Sequence, residues 1–137
     1  MMKKKGFLCL LLVLALVMGA CSHGNVTCVR KEFGNSEQYS KWEIGQAMKV
    51  VTRCFYREFD GCTLTELRYD ETATGKAAAR WAEQYQADTA IVLVSTFRVG
   101  SSGGDGSLNP DSVYRNWQWV LTRNGLGAWK LQTWGYG

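Results

Sequence analysis

Thiols are the most reactive side chains in this sequence, because its five cysteines stand beside a single histidine, His23. His23 lies in a polar stretch without partner ligands, so a metal or catalytic role is not expected for it. The folded remainder has no imidazole, which excludes Ser-His-Asp, Cys-His and histidine-zinc mechanisms there. No two cysteines form a C-x-x-C pair, so neither a zinc site nor a thioredoxin-type redox couple is expected. Once Cys9 and Cys21 are set aside as below, Cys28, Cys54 and Cys62 remain, enough for one internal disulfide. Cys54 and Cys62 are a candidate pair in an exported domain, or else small buried apolar residues. Asp105, Asn109 and Asp111 sit in "GSSGGDGSLNPDS" and offer oxygen ligands. Their spacing is not the alternate-residue pattern of a calcium loop and no Glu closes it, so a solvated connection without metal is expected.

Cys21 has a different chemistry, set by what precedes it. Lys3, Lys4 and Lys5 stand before an uncharged run from Phe7 to Met18 that ends in Gly19 and Ala20. A helix of that length reaches about 18 Å, short of the roughly 30 Å of hydrocarbon in a bilayer, so the run reads as an export signal. The junction "VMGAC" resembles the lipobox of bacterial lipoproteins, in which a lipid is joined to the cysteine thiol and the chain is cut before it. An ordinary signal cut after Ala20, with a free Cys21, is the other reading of the same layout. The division expected is a signal peptide over 1–20, a lipidated Cys21 with a flexible tether to residue 40, and a domain over 41–137. Location then follows from the lipid: the cell membrane, on its extracytoplasmic side, since buried acyl methylenes contribute about 0.8 kcal/mol each to membrane association. Sixteen basic and twelve acidic side chains give +4, and without the three leader lysines thirteen face twelve. That near balance, with no run of Lys and Arg, gives no electrostatic footprint for nucleic acid.

The elements that position the remaining chemistry are legible in the patterning. Ser40 and Glu43 form a capping box, and Ile44, Ala47, Met48, Val51, Cys54, Phe55 and Phe59 recur at helical spacing, so a helix is predicted over 41–59. Lys49, Arg53 and Arg57 fall on its other side, and Gly61 is the stop. "CTLTELRY" predicts a strand whose alternation slips between Leu64 and Leu67, the mark of a bulge or an edge. "DETATG" reads as a turn before a short second helix, Lys76 to Gln86, with Ala78, Trp81, Ala82 and Tyr85 on one face. "TAIVLVSTFRV" is apolar on both faces and predicts a central strand covered on each side. "VYRNWQWVLT" alternates, with Val113, Trp117, Trp119 and Leu121 on one face and Tyr114, Asn116 and Gln118 on the other. Asn124-Gly125 predicts a tight turn into an antiparallel "AWKLQTWGY". The predicted fold is α+β: a long N-terminal helix on a curved antiparallel four-stranded sheet, in the order α-β-α-β-β-β. Each buried Trp removes roughly 150 to 250 Å² from water, so the terminal Trp cluster is explained by stability before any ligand is invoked.

The pieces "FDGCTLTELRYDE" and "YRNWQWVLTRNGLGAWKLQTWGYG" resemble an uncharacterised family of small bacterial lipoproteins with a cystatin-like/NTF2-like domain, over residues 41–137. The resemblance implies a cone of helix and curved sheet, and it brings no established activity. Two function classes follow. One is a non-catalytic binding or accessory module of the cell envelope, taking an envelope protein or a small ligand at the mouth of the cone, without a cofactor. The other is an NTF2-like enzyme of isomerase or dehydratase type, using a pocket carboxylate and a tyrosine. For that enzyme the acids are Asp60, Asp70 and Glu71 and the donors Tyr56, Tyr69 and Tyr85, with Glu58 a further carboxylate near the helix end. Each of the three acids also has a plain role in a turn or helix stop. Cystatin-type protease inhibition is not implied, because the Gln-x-Val-x-Gly pattern is absent: "AMKV" follows Gln46 and "WVLT" follows Gln118.

Overall fold

Ser40 opens the first helix in the way its capping box anticipates. Its hydroxyl accepts from the Glu43 amide at 3.2 Å, and the Glu43 carboxylate accepts from the Ser40 amide at 2.7 Å. The helix, α1, runs Lys41–Glu58. Phe59 closes it by donating its amide to the Phe55 carbonyl, and Gly61 turns the chain away at φ +71°, a conformation that costs glycine little. These are coordinates of a computed structural model that describes residues 22–136. The expected leader over 1–20 and the lipidation at Cys21 lie outside the described residues.

The fold is α+β. Five strands, β1 (Arg30–Glu32), β2 (Cys62–Arg68), β3 (Thr89–Val99), β4 (Val113–Arg123) and β5 (Lys130–Tyr136), form one sheet in sequence order. A second helix, α2 (Glu71–Gln84), joins β2 to β3. Two corrections to the expected architecture follow. The sheet has five strands rather than four, and it is mixed, because β1 pairs parallel with β2 while the other neighbours are antiparallel. The segment 22–40 is also not a free tether. Asn25 bridges to Thr63, β1 lies along β2, and Tyr39 is buried in the core. All three residues of β1 are exposed, so backbone hydrogen bonds and not apolar burial hold the strand, and they leave no hydrophobic pattern to read.

β3 occupies the centre of the sheet and is buried on both faces, as its apolar run predicts. Ile91, Leu93 and Phe97 join Ile44, Met48, Val51 and Phe55 of α1 in the main core. Ala90, Val92 and Val94 point the other way, and α2 covers them. The second helix begins five residues earlier than expected, since "DETATG" is its first turn: Asp70 is the N-cap, its carboxylate accepting from the Ala73 amide at 3.1 Å.

The predicted slip in β2 is a bulge between Leu64 and Glu66. Two further bulges were not foreseen. In β4 the pairing passes from Ser95↔Trp117 to Phe97↔Tyr114, with Asn116 at φ +59° absorbing the extra residue. Tyr114 is thereby brought onto the Trp117 face, against the alternation expected, and stacks on Phe97 at 5.2 Å. In β5 the bulge at Gln132 puts Trp134 beside Trp119. The β4–β5 connection is longer than a two-residue turn, with the Gly127 amide returning to the Asn124 carbonyl.

Candidate functional site

The bulges gather aromatic rings at one end of the sheet, where α1 stops. Phe59 lies 6.1 Å from Trp134 and 6.3 Å from Trp117, centroid to centroid, and 5.3 Å from Trp119. Beside them the connection between β3 and β4 folds back, bringing Gly104, Asp105, Ser107 and Leu108 towards Cys62. The pocket is partly open to solvent and has a volume of about 220 Å³, with Glu58 also in its lining. Its walls are polar and apolar by turns: three rings, a leucine and a thiol against two carboxylates.

Trp117 lines this pocket, and its indole N–H is buried within the protein with no hydrogen-bond partner. Its neighbours are better served, Trp119 donating to Ser95 Oγ at 2.8 Å and Trp129 to the Glu43 carbonyl at 3.1 Å. An orphaned buried donor costs about 1 to 3 kcal/mol, and this one has no surface open to the pocket, so it is the ring of Trp117 and not its N–H that faces the cavity. The Cys62 thiol is pushed up by burial and then by the Asp105 and Asp60 carboxylates, which keeps it neutral and unreactive. Asp105 is held below the usual carboxylate range by hydrogen bonds from the Ser107 hydroxyl and amide.

The residues proposed for acid–base chemistry do not meet at this pocket. Asp70, Tyr69 and Glu71 do come together, along a separate surface groove of about 400 Å³. Glu71 accepts from the Ser36 hydroxyl at 2.6 Å, the Glu37 amide at 3.0 Å and the Tyr69 hydroxyl at 3.0 Å. The Ser36 bond above all, then the Glu37 amide, holds its carboxyl below the usual range, while burial and the Glu71 carboxylate push the Tyr69 phenol up. This pair fastens residues 36–39 to the start of α2, and Asp70 is spent on the helix cap. Asp60 follows α1 with one carboxylate oxygen buried and unpartnered, away from the Asp70–Glu71 groove. Tyr56 stacks on His23 at 4.4 Å and Tyr85 stacks on Trp81 at 5.9 Å. Cys54 and Cys62 are free buried thiols with no bond between them, and Cys28 is free and exposed. Among the described residues no group of three or more His, Cys, Asp and Glu side chains is placed to hold a metal ion.

A second node was invisible in the sequence. Arg123 Nη2 meets Glu43 Oε1 at 2.7 Å, with the Arg123 side chain only 9% exposed. Its guanidinium lies 4.3 Å over the Trp129 ring and 5.5 Å from Tyr39. The capping box marked Glu43, but nothing local pointed to a partner eighty residues on.

Compared with protein-family models, with curated proteins and with solved structures, the chain matches none.

Proposed function

We propose that this chain is a lipid-anchored, extracytoplasmic binding module of the cell envelope, held to the membrane through Cys21, that takes a small ligand in the aromatic pocket at the end of α1. Within that reading, α1 against β2–β5 is a cone of the cystatin-like/NTF2-like kind, with β1 an added edge. The observation that carries the binding role is the pocket itself, walled by the rings of Phe59, Trp117 and Trp134 and by Leu108. Rings supply contact area, which suits a small aromatic compound. Catalysis is the weaker reading. A general base working near neutrality needs a raised carboxyl, whereas Glu43, Glu66, Glu71 and Asp105 are all lowered.

Two measurements test this. Protein extracted from membranes should carry acyl mass on an N-terminal Cys21, and Cys21→Ser should move it to the soluble fraction; an intact leader on membrane-bound protein would remove the anchor. In thermal-shift titrations of small aromatic compounds, binders should lose about five- to tenfold in affinity in Trp117→Ala, which removes one ring from the pocket wall. Equal affinity in that variant would sink the role given to the indole.

A further inference from the structure

The outward side of α1 carries Trp42, Lys49, Arg53, Tyr56 and Arg57, which at helical pitch fall within about 100° of its circumference. Trp42 is 71% exposed and Tyr56 44%. The β4–β5 connection adds Leu126, 92% exposed, across a groove of about 430 Å³. Lys49, Arg53 and Arg123 line that groove against one carboxylate, Glu43, which Arg123 already occupies. The surface thus combines protruding apolar side chains with unneutralised cations, although the chain as a whole is close to charge balance without its leader lysines.

The place where the described chain begins gives this surface its occupant. His23 stacks on Tyr56 at the far end of the same stripe, and the Gly24 amide donates to the Tyr56 carbonyl at 3.0 Å. Gly24 is required there, since a Cβ would stand 2.3 Å from the Phe55 carbonyl oxygen. Cys21 stands two residues before His23 in the sequence.

We propose that this face of α1, with Leu126, lies flat against an anionic bilayer surface. The inference rests on the lipid anchor at Cys21. Fourteen residues of helix separate Tyr56 from Trp42, about 21 Å. The acyl chains hold one end of the stripe, Trp42 and Leu126 enter the interface at the other, and Lys49, Arg53 and Arg57 meet lipid phosphates between them. Anchoring raises the local concentration of lipid around the stripe, so weak contacts suffice to orient the domain. The pocket at Trp117 then opens from a domain held in one pose, with α1 beneath it.

The test uses the protein purified from membranes and reconstituted through its own anchor into phosphatidylcholine vesicles, with or without phosphatidylglycerol, all with brominated acyl chains. Tryptophan quenching should appear in the anionic vesicles, weaken with added salt and vanish in Trp42→Phe. Lys49→Glu/Arg53→Glu/Arg57→Glu should lower the docked fraction at least about tenfold. These substitutions are on exposed positions, and unchanged thermal unfolding will verify that the variants are folded. Equal quenching in neutral and anionic vesicles, quenching that survives Trp42→Phe, or indifference to the triple reversal would each overturn the docking. Mass spectrometry of the same preparation separates the two readings. Acylated protein that does not dock keeps the anchor and loses the inference. Protein without acyl mass is added to the vesicles from solution instead: flotation with anionic vesicles alone upholds the docking without the anchor, and no flotation overturns both.

Discussion

Trp119→Ala should lower the unfolding free energy by about 4 kcal/mol, read as a shift of the urea midpoint at unchanged slope. Trp119 is fully buried and packs on Phe55, Phe59 and Trp134 at centroid distances of 6.4, 5.3 and 5.8 Å. Removing the indole subtracts its transfer free energy and opens a cavity among rigid rings that cannot collapse into it. It also takes the donor from Ser95 Oγ, itself buried. Trp119→Phe should cost less than half as much, because a ring remains to fill most of the space. A loss below about 1 kcal/mol for the alanine variant would mean that the aromatic cluster does not support the pocket as described.

The second large effect concerns Glu43. In Glu43→Ala the Arg123 guanidinium keeps its burial and its place over Trp129 and loses its carboxylate, at a cost of about 2 to 4 kcal/mol at neutral pH. Half of the capping box goes with it, since Glu43 also accepts from the Ser40 amide, while the Ser40 hydroxyl still accepts from the amide of residue 43. The Arg123 hydrogen bond first, and the Ser40 amide second, hold the Glu43 carboxyl below the usual range. A carboxylate lowered on folding contributes stability above its unfolded value, near pH 4.3, and that contribution is lost as pH falls through the lowered value. The wild type should therefore approach the variant in stability as the solution is acidified below about pH 4, and differ most above pH 5. A gap between the two that stays constant from pH 7 to pH 3 would show that the ion pair is not its source.

Much of the frame was legible because it is governed by local rules. The start of α1 needs only Ser40 and Glu43 three residues apart, and its length needs only apolar residues at helical spacing. The β2 bulge is written in a phase change between Leu64 and Leu67, and the central place of β3 in a run apolar on both faces. The first turn of α2 was missed because Thr72, Thr74 and Gly75 read as a turn, while the Asp70 cap and packing on β3 override that propensity. The Tyr114 face was missed because a bulge that opposes Arg115 and Asn116 to the single residue Thr96 depends on the partner strand. For Asp70 and Glu71 the sequence offers a place in a turn beside a catalytic role; the structure makes Asp70 a helix cap and Glu71 a clasp on Ser36, and the clasp depends on chain that reads as linker.

By itself the sequence determined an α+β chain with a capped, amphipathic first helix, a doubly covered central strand and an aromatic antiparallel end, since each is encoded by residues a few positions apart. Only the tertiary structure decided that Asn25 and residues 30–32 pair with β2, that Glu43 finds Arg123, that Trp117 lines a pocket, and that His23 sits at the foot of a cationic, aromatic helix face. Those features rest on backbone pairing and on contacts between polar or exposed groups far apart in the chain. Such contacts impose no periodicity, so they exist only once the apolar pattern has brought the elements together.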